Sequence, residues 1–216
     1  MNRQIDLFLP NANPEAAQDI AQQLQSVAAV RAISQTTIEN LPSSESLRCI
    51  ASLAKATYTV VVTKPTPLLL GEGALERMAR VADDAEAAMV YADRIERKAD
   101  GDGQKEQRHP VIDYQTGSIR DDFDFGSVLL IRTSLLKQWA QERADTSFQY
   151  AGLYDLRLFL SRHGELLHLN EYLYTEIETD NRKSGEKQFD YVNPANRAVQ
   201  IEMEQAATYH LKAIGV

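Results

Sequence analysis

The stretch "GSIRDDFDFGSVLLIRTS", residues 117–134, sets Asp121, Asp122 and Asp124 directly ahead of an aliphatic run. Carboxylates at that point either hold a cation or polar ligand at a pocket rim, or cap and solubilise a turn. In an extended segment Asp124 points opposite to Phe123 and Phe125, so it lines a pocket while the rings pack below. Arg120, beside Asp121 and Asp122, equally suits a solvated turn. Lys64 in "VTKPTP" is either a point charge for phosphate or a loop lysine among turn-forming residues. Asp93 closes "MVYAD" at a strand tip, where it contacts a ligand or caps backbone amides. Asp155 pairs with Arg157 or Arg182, caps its helix, or takes part in catalysis. The run "DNRKSGEK" offers Arg182, Lys183 and Lys187 to phosphate or to solvent. His109, His163, His168 and His210 are scattered without the spacing of metal ligands, so no zinc site is expected from them. Tyr172 and Tyr174 suit core and rim positions, and Cys49 reads as a core filler.

These side chains must be positioned by the elements between them. "IDLFLP" is a buried strand closed by Pro10. Asn13 then caps a helix whose first position Pro14 takes, with Ala16, Ile20, Leu24 and Val27 on one face. "VRAISQ" is a weaker strand. Ser43 or Ser44 opens a helix carrying Leu47, Ile50, Ala51 and Ala54. "YTVVVT" is continuous and β-branched, which places it centrally with both faces covered. A helix in "GEGALERMARVADD" and a strand in "AAMVYAD" follow. "DRIERKADGDGQKEQRHP" lacks an apolar stripe and reads as a solvated hairpin or mobile loop. "SVLLIRT" is a strand and "SLLKQWAQERA" a helix. "YAGLYDLRLFLSRHG" is a helix through Leu153, Leu156 and Leu160, closed by Gly164 as a C′ glycine. "ELLHLNEYLYTEI" is a strand, and a final helix runs from Pro194 to Gly215 with Asn193 as its cap. Strands alternating with helices in this way indicate an α/β domain with a parallel sheet and crossover helices.

The 216 residues suffice for one substantial core, and one domain over 1–216 is the simplest organisation. A net charge of -8 argues against a general grip on nucleic acid or an anionic membrane. With a single cysteine no disulfide framework can form, which suits a reducing cytoplasm. The opening "MNRQIDLFLP" is too short for a signal peptide's apolar region, and no apolar run reaches membrane-spanning length. In open α/β sheets ligands sit beyond the carboxyl ends of the strands. That rule selects "PNAN", "TKPTP", Asp93 and the "RDDFDF" turn, none of them a glycine-rich phosphate cradle.

The order strand, P-x-x-N, amphipathic helix, central strand with a polar tip, then "LGEGALERMARVADDAEAAMVYAD", resembles the family-two glycosyltransferases of the GT-A type. "DFDFGSVLLIRTSLL", "YDLRLFLSRHG" and "NEYLYT" are similar to that family's acceptor-side half. The resemblance spans nearly the whole chain and implies a Rossmann-like GT-A fold, with a mostly parallel central sheet and helices on both faces. It implies a nucleotide-sugar-binding half over about 1–95 and an acceptor-side half over about 110–216. Its strongest stretches, about 75–93 and 113–184, look like a bacterial subgroup in which such a domain precedes a second glycosyltransferase domain. The implied partners are a nucleotide diphosphate sugar, with Mn or Mg as cofactor, and a glycan acceptor in polysaccharide biosynthesis.

The resemblance places donor contacts on Pro10, Asn13, Thr63, Lys64, Asp93, Arg182 and Lys183. Three acidic signatures of the family are missing. "AISQTTIEN" lacks the aspartate that holds base and ribose. Thr63, Lys64 and Pro65 stand where D-x-D should follow "YTVVV". Gly152 and Leu153 align with the E-D pair that supplies the base. A metal would cancel diphosphate charge and stabilise the leaving group; Lys64 replaces only part of that. Leu153 cannot take a proton, so a base falls to Asp121, Asp122, Asp124 or Asp155. The expectation is a weakened or inactive transferase domain. The alternative is a scaffold that docks a partner glycosyltransferase domain through an exposed apolar patch. A sugar nucleotidyltransferase ranks last, because its glycine-rich first loop is absent.

Overall fold

The computed structural model describes residues 4–10, 13–25, 27–36, 40–100, 103–118, 120–177 and 197–216. In chain order the strands are β1 (Ile5–Pro10), β2 (Val30–Thr36), β3 (Tyr58–Val62), β4 (Leu68–Leu70), β5 (Met89–Asp100), β6 (Gly103–His109), β7 (Val128–Arg132) and β8 (Leu166–Ile177). The helices are α1 (Pro14–Leu24), α2 (Ser44–Leu53), α3 (Ala74–Asp84), α4 (Thr133–Glu142), α5 (Gly152–His163) and α6 (Arg197–Ala213). Local signals act as expected at the helix starts. The Asn13 side chain accepts from Ala16 N at 3.1 Å ahead of Pro14, and Ser43 caps α2 by accepting from Ser46 N at 3.2 Å.

Among the described residues one sheet runs β2-β1-β3-β7-β5-β8-β4, with β6 added to β5 as a hairpin. β1, β2, β3, β5 and β8 share one direction, while β7 is antiparallel to both of its neighbours, β3 and β5. The sheet is therefore mostly parallel, with one reversed strand at its centre. That reversal brings the start of β7, and the loop before it, to the edge where β1, β3 and β5 end. The solvated segment after Asp93 is the β5–β6 hairpin, and β4 is a short strand that no sequence signal marked.

Period two divides the strands between two apolar layers. Leu7, Val60, Val90 and Leu130 meet α1 and α3 through Ile20, Leu24, Leu75 and Met78. On the other face Phe8, Val61, Met89 and Leu129 meet α2, α4 and α5 through Leu47, Ile50, Leu136, Trp139 and Leu156. Covering on both faces explains why β3 reads as an unbroken apolar run, buried at all five positions.

Two expectations are corrected. Cys49 is exposed rather than a core filler, because α2 buries the stripe of Leu47, Ile50 and Ala51 and Cys49 turns to solvent. Gly164 ends α5 in extended backbone (φ 165°) rather than the left-handed conformation of a C′ glycine. The final helix is α6, packed on α5; its expected start at Asn193 and Pro194 lies outside the described residues. No described helix is long and apolar enough to cross a membrane.

Candidate functional site

The exits of β1, β3 and β5 and the entry of β7 form one edge, and the backbone knits them together. Thr63 N donates to Ser127 O at 2.8 Å, joining the end of β3 to the start of β7. Ser127 N donates to the Tyr174 hydroxyl at 2.9 Å, tying the same point to β8. Gly126 takes a positive φ of 73°, and a Cβ there would collide with that hydroxyl. Glycine is thus required at the turn that delivers the "DFDF" segment to the edge.

β5 and β8 pair in parallel until the register shifts on both sides of Asp93. Bulges of this kind re-aim side chains next to sites. Asp93 turns inward and is fully buried. Its Oδ1 accepts from Val111 N at 2.8 Å and lies 2.8 Å from His168 Nε2, while Oδ2 is buried with no hydrogen-bond partner among the described residues. His168 Nδ1 in turn lies 2.7 Å from Asp113 Oδ1. Asp93 therefore caps the backbone of the crossing loop.

Arg94, the next residue, is the centre of the edge and is only 3% exposed. Its Nη2 lies 3.0 Å from Asp124 Oδ2 and 3.1 Å from Glu96 Oε1, and its Nε lies 3.3 Å from Glu176 Oε1. Lys64 Nζ reaches the other oxygen of Glu176 at 3.0 Å. His109 lies between Glu96 Oε1 (3.0 Å) and Asp124 Oδ2 (3.3 Å). Burial works to raise the Asp124 carboxyl, but the Gly126 amide and the Arg94 charge outweigh it and hold the group below its ordinary value. Burial likewise opposes the Arg94 charge, and Glu176 with Asp124 more than offsets it. Desolvation, with Glu176 nearby, pushes Tyr174 up to about 12.

The three acids of the "RDDFDF" turn do different things. Phe125 is buried and Phe123 packs against the same layer, while Asp124 points the other way to Arg94, as the alternation required. Asp122 forms an exposed pair with Arg120 at 2.6 Å, and Asp121 offers its backbone oxygen to Arg157 at 2.8 Å. A cavity of about 450 Å³ opens beside this turn, lined by His109, Val111, Asp113, Arg120, Asp122 and Asp124 among others. Pro10 is buried at the end of β1 and Asn13 is engaged as the α1 cap. Arg182 and Lys183 lie outside the described residues.

Asp155 is elsewhere. It is 2% exposed, and its oxygens bind Arg143 Nε and Nη2 at 3.0 Å each, with Trp139 Nε1 at 2.8 Å. Its partner among the described residues is Arg143, just past α4, rather than Arg157, because residues two apart on a helix face different ways. Arg157 instead donates to the oxygens of Asp121 and Phe123. The Gly152 position is closed: a Cβ there would lie 2.6 Å from Ser43 C and 2.7 Å from Pro42 O.

Arg94, Glu96 and Glu176 were missed by sequence reasoning, and His109 and His168 were weighed only as metal ligands. One signal was available. A strand parallel to β5 ends at the same edge, so Glu176, at the end of β8, falls near Arg94 once that pairing is assumed. The described residues contain no group of three or more His, Cys, Asp and Glu side chains that could hold a metal ion.

No family model matches the chain, and no curated protein matches it. Solved structures do. S. aureus TarS 1–349 in complex with UDP-GlcNAc aligns at TM-score 0.50 and 11% identity, covering 83% of this chain and 60% of that one. The structure of TarS 1–349 alone aligns at 0.52 and 11%, covering 96% and 79%. Its complex with UDP aligns at 0.51 and 13%, covering 96% and 70%. The chain thus spans less than two thirds of the first of these neighbours. At such identity the likeness establishes the fold: the curled, mostly parallel sheet with helices on both faces is a Rossmann-like GT-A fold.

Proposed function

We propose that this chain is a glycosyltransferase-related domain that receives a nucleotide diphosphate sugar at the carboxyl edge of its sheet and transfers the sugar weakly or not at all. The observation that carries this reading is the exit of β3. There Thr63, Lys64 and Pro65 stand, and Lys64 is paired with Glu176 at 3.0 Å, so a cation occupies the place of chelating acids. The closed position at Gly152 supports the loss of a base. Asp124 and Asp122, on the cavity wall, are the acids placed to meet an acceptor hydroxyl. Asp155, locked to Arg143, serves the packing of α4 on α5. Arg182 and Lys183 remain proposed donor contacts. The biological setting proposed is bacterial surface polysaccharide assembly on the cytoplasmic side.

A second reading is a scaffold that docks a partner glycosyltransferase domain. Ile201 and Ile214, both exposed on or just after α6, support it. Isothermal titration with UDP, GDP and their sugars, with and without manganese, separates the readings. Binding without a manganese requirement, and with no turnover, is the expected result. Manganese-dependent micromolar binding with sugar transfer overturns the weakened-enzyme reading. Absence of binding to every nucleotide selects the scaffold.

A further inference from the structure

We infer that Asp113, His168 and Asp93 form a pH-sensitive clasp that holds the loop 110–118 against the sheet and so fixes one wall of the cavity beside the "RDDFDF" turn. His168 stands on β8 with its side chain only 5% exposed, and both of its ring nitrogens face carboxylate oxygens. Nε2 lies 2.8 Å from Oδ1 of the buried Asp93, and Nδ1 lies 2.7 Å from Oδ1 of Asp113, whose side chain is 86% exposed. Two such contacts to ionised acids need two protons, so the ring carries both while the clasp is closed. A neutral ring has one N–H and holds one acid only. Asp93 also accepts from Val111 N and has no water to turn to, whereas Asp113 does. When the ring gives up a proton, the remaining N–H stays with Asp93, and the contact that opens is the one to Asp113.

The surroundings bring the loop to this point. The Tyr91 ring stacks on His168 at 5.1 Å and 15°. Its hydroxyl donates to Ile112 O at 2.9 Å and accepts from Tyr114 N at 2.8 Å, so the backbone is anchored on both sides of Asp113. Val111, Ile112, Asp113, Gln115 and Ser118 all line the cavity, which ties its shape to the clasp. The other ionisable groups of the neighbouring elements are engaged elsewhere. Burial pushes the Tyr91 hydroxyl up to about 12, far above the range in which an imidazole changes charge. Glu171 of β8 is paired with Arg77 of α3, Arg108 of β6 lies over the Tyr172 ring, and β4 brings only leucines. In α5, Arg157 donates to the oxygens of Asp121 and Phe123, and His163 is bonded to Phe159 O. His109, at the start of the loop, faces Glu96 and Asp124 instead.

The test is amide hydrogen exchange of the full chain, corrected for the intrinsic pH dependence of exchange, from about pH 5 to about pH 9, which spans the imidazole range. In the native protein the Tyr114 amide is expected to lose about tenfold in protection toward alkaline pH, the worth of one charge-assisted hydrogen bond. Asp113→Ala should show the low alkaline protection at every pH. Asp113→Asn should keep the high protection at every pH, because its amide either accepts from Nδ1–H or donates to the bare Nδ1. Both variants alter an exposed side chain, so the fold is retained and a melting curve verifies it. Native protection that does not change with pH overturns the proposal. So does a pH response that survives in Asp113→Ala, the outcome if His109 were its source, or an Asp113→Asn that responds as the native protein does. No sugar nucleotide enters the measurement, so its outcome is independent of the function proposed above.

Discussion

Gly152 and Ser44 meet backbone to backbone: a Cβ on Gly152 would overlap Ser44 N, with Ser43 C at 2.6 Å and Pro42 O at 2.7 Å. The start of α5 is thereby pinned to the start of α2, and Leu153 N donates to Pro42 O at 3.0 Å in the same contact. None of these atoms belongs to a flexible side-chain end, so the neighbours cannot yield cheaply. Gly152→Ala is expected to destabilise by about 1–3 kcal/mol, the range for overpacked cores, and Gly152→Glu by more. Urea unfolding measures both. An unchanged midpoint for Gly152→Ala would show that the two helix starts separate freely.

Asp155→Ala should be among the most damaging single changes. It removes the partner of Arg143, itself 7% exposed, and the acceptor of Trp139 Nε1. Loss of one partner from a buried pair costs about 3–5 kcal/mol. Chemical denaturation gives the value, and a loss below that of an exposed pair would contradict the buried geometry.

Lys64→Ala should barely alter stability. The Lys64 side chain is 44% exposed, and such pairs contribute about 0–1 kcal/mol. Under the proposed function the same change weakens UDP binding, which calorimetry measures beside the melting curve. A large stability loss with unchanged UDP affinity would remove Lys64 from the donor site.

On the acid side, Asp124 has a folded value below its ordinary one, so its contribution is present above the unfolded value. It is lost as pH falls through the folded value. Asp124→Asn should therefore lower stability at neutral pH and flatten the acid limb, the difference from the native protein vanishing as pH falls through the folded value. An unchanged acid limb would mean that other carboxylates carry it.

On the alkaline side the sign reverses. Burial pushes Tyr58, Tyr91, Tyr154 and Tyr174 each up to about 12. Their contribution is complete below the unfolded value near 10 and disappears as pH rises through about 12. Absorbance at the phenolate band, followed alongside circular dichroism, should show these tyrosines ionising only as the fold is lost. Early ionisation of all nine tyrosines in intact protein would refute their burial.

Much of the local structure was legible because its causes are local. Asn13 ahead of Pro14, Ser43 ahead of α2 and the continuous apolar β3 each specify their element through contacts within a few residues. Alternation also assigned Asp124 to the face opposite Phe125; of the two readings left open for Arg120 beside Asp122, the exposed pair fits the solvated turn. Periodicity, however, says which face a side chain takes and not which strand lies beside it. The reversed β7 between β3 and β5 is a long-range pairing, and it carries Asp124 to Arg94, 30 residues away in sequence. The same pairing order brings Glu176 to Lys64 and Arg94, while helix packing selects Arg143 for Asp155. The chain by itself determined the elements, their caps and their faces, because those follow from neighbours along the backbone. Only the folded sheet decided that Arg94 meets Asp124 and Glu176 at its edge, because strand order, and not spacing in sequence, joins those opposite charges.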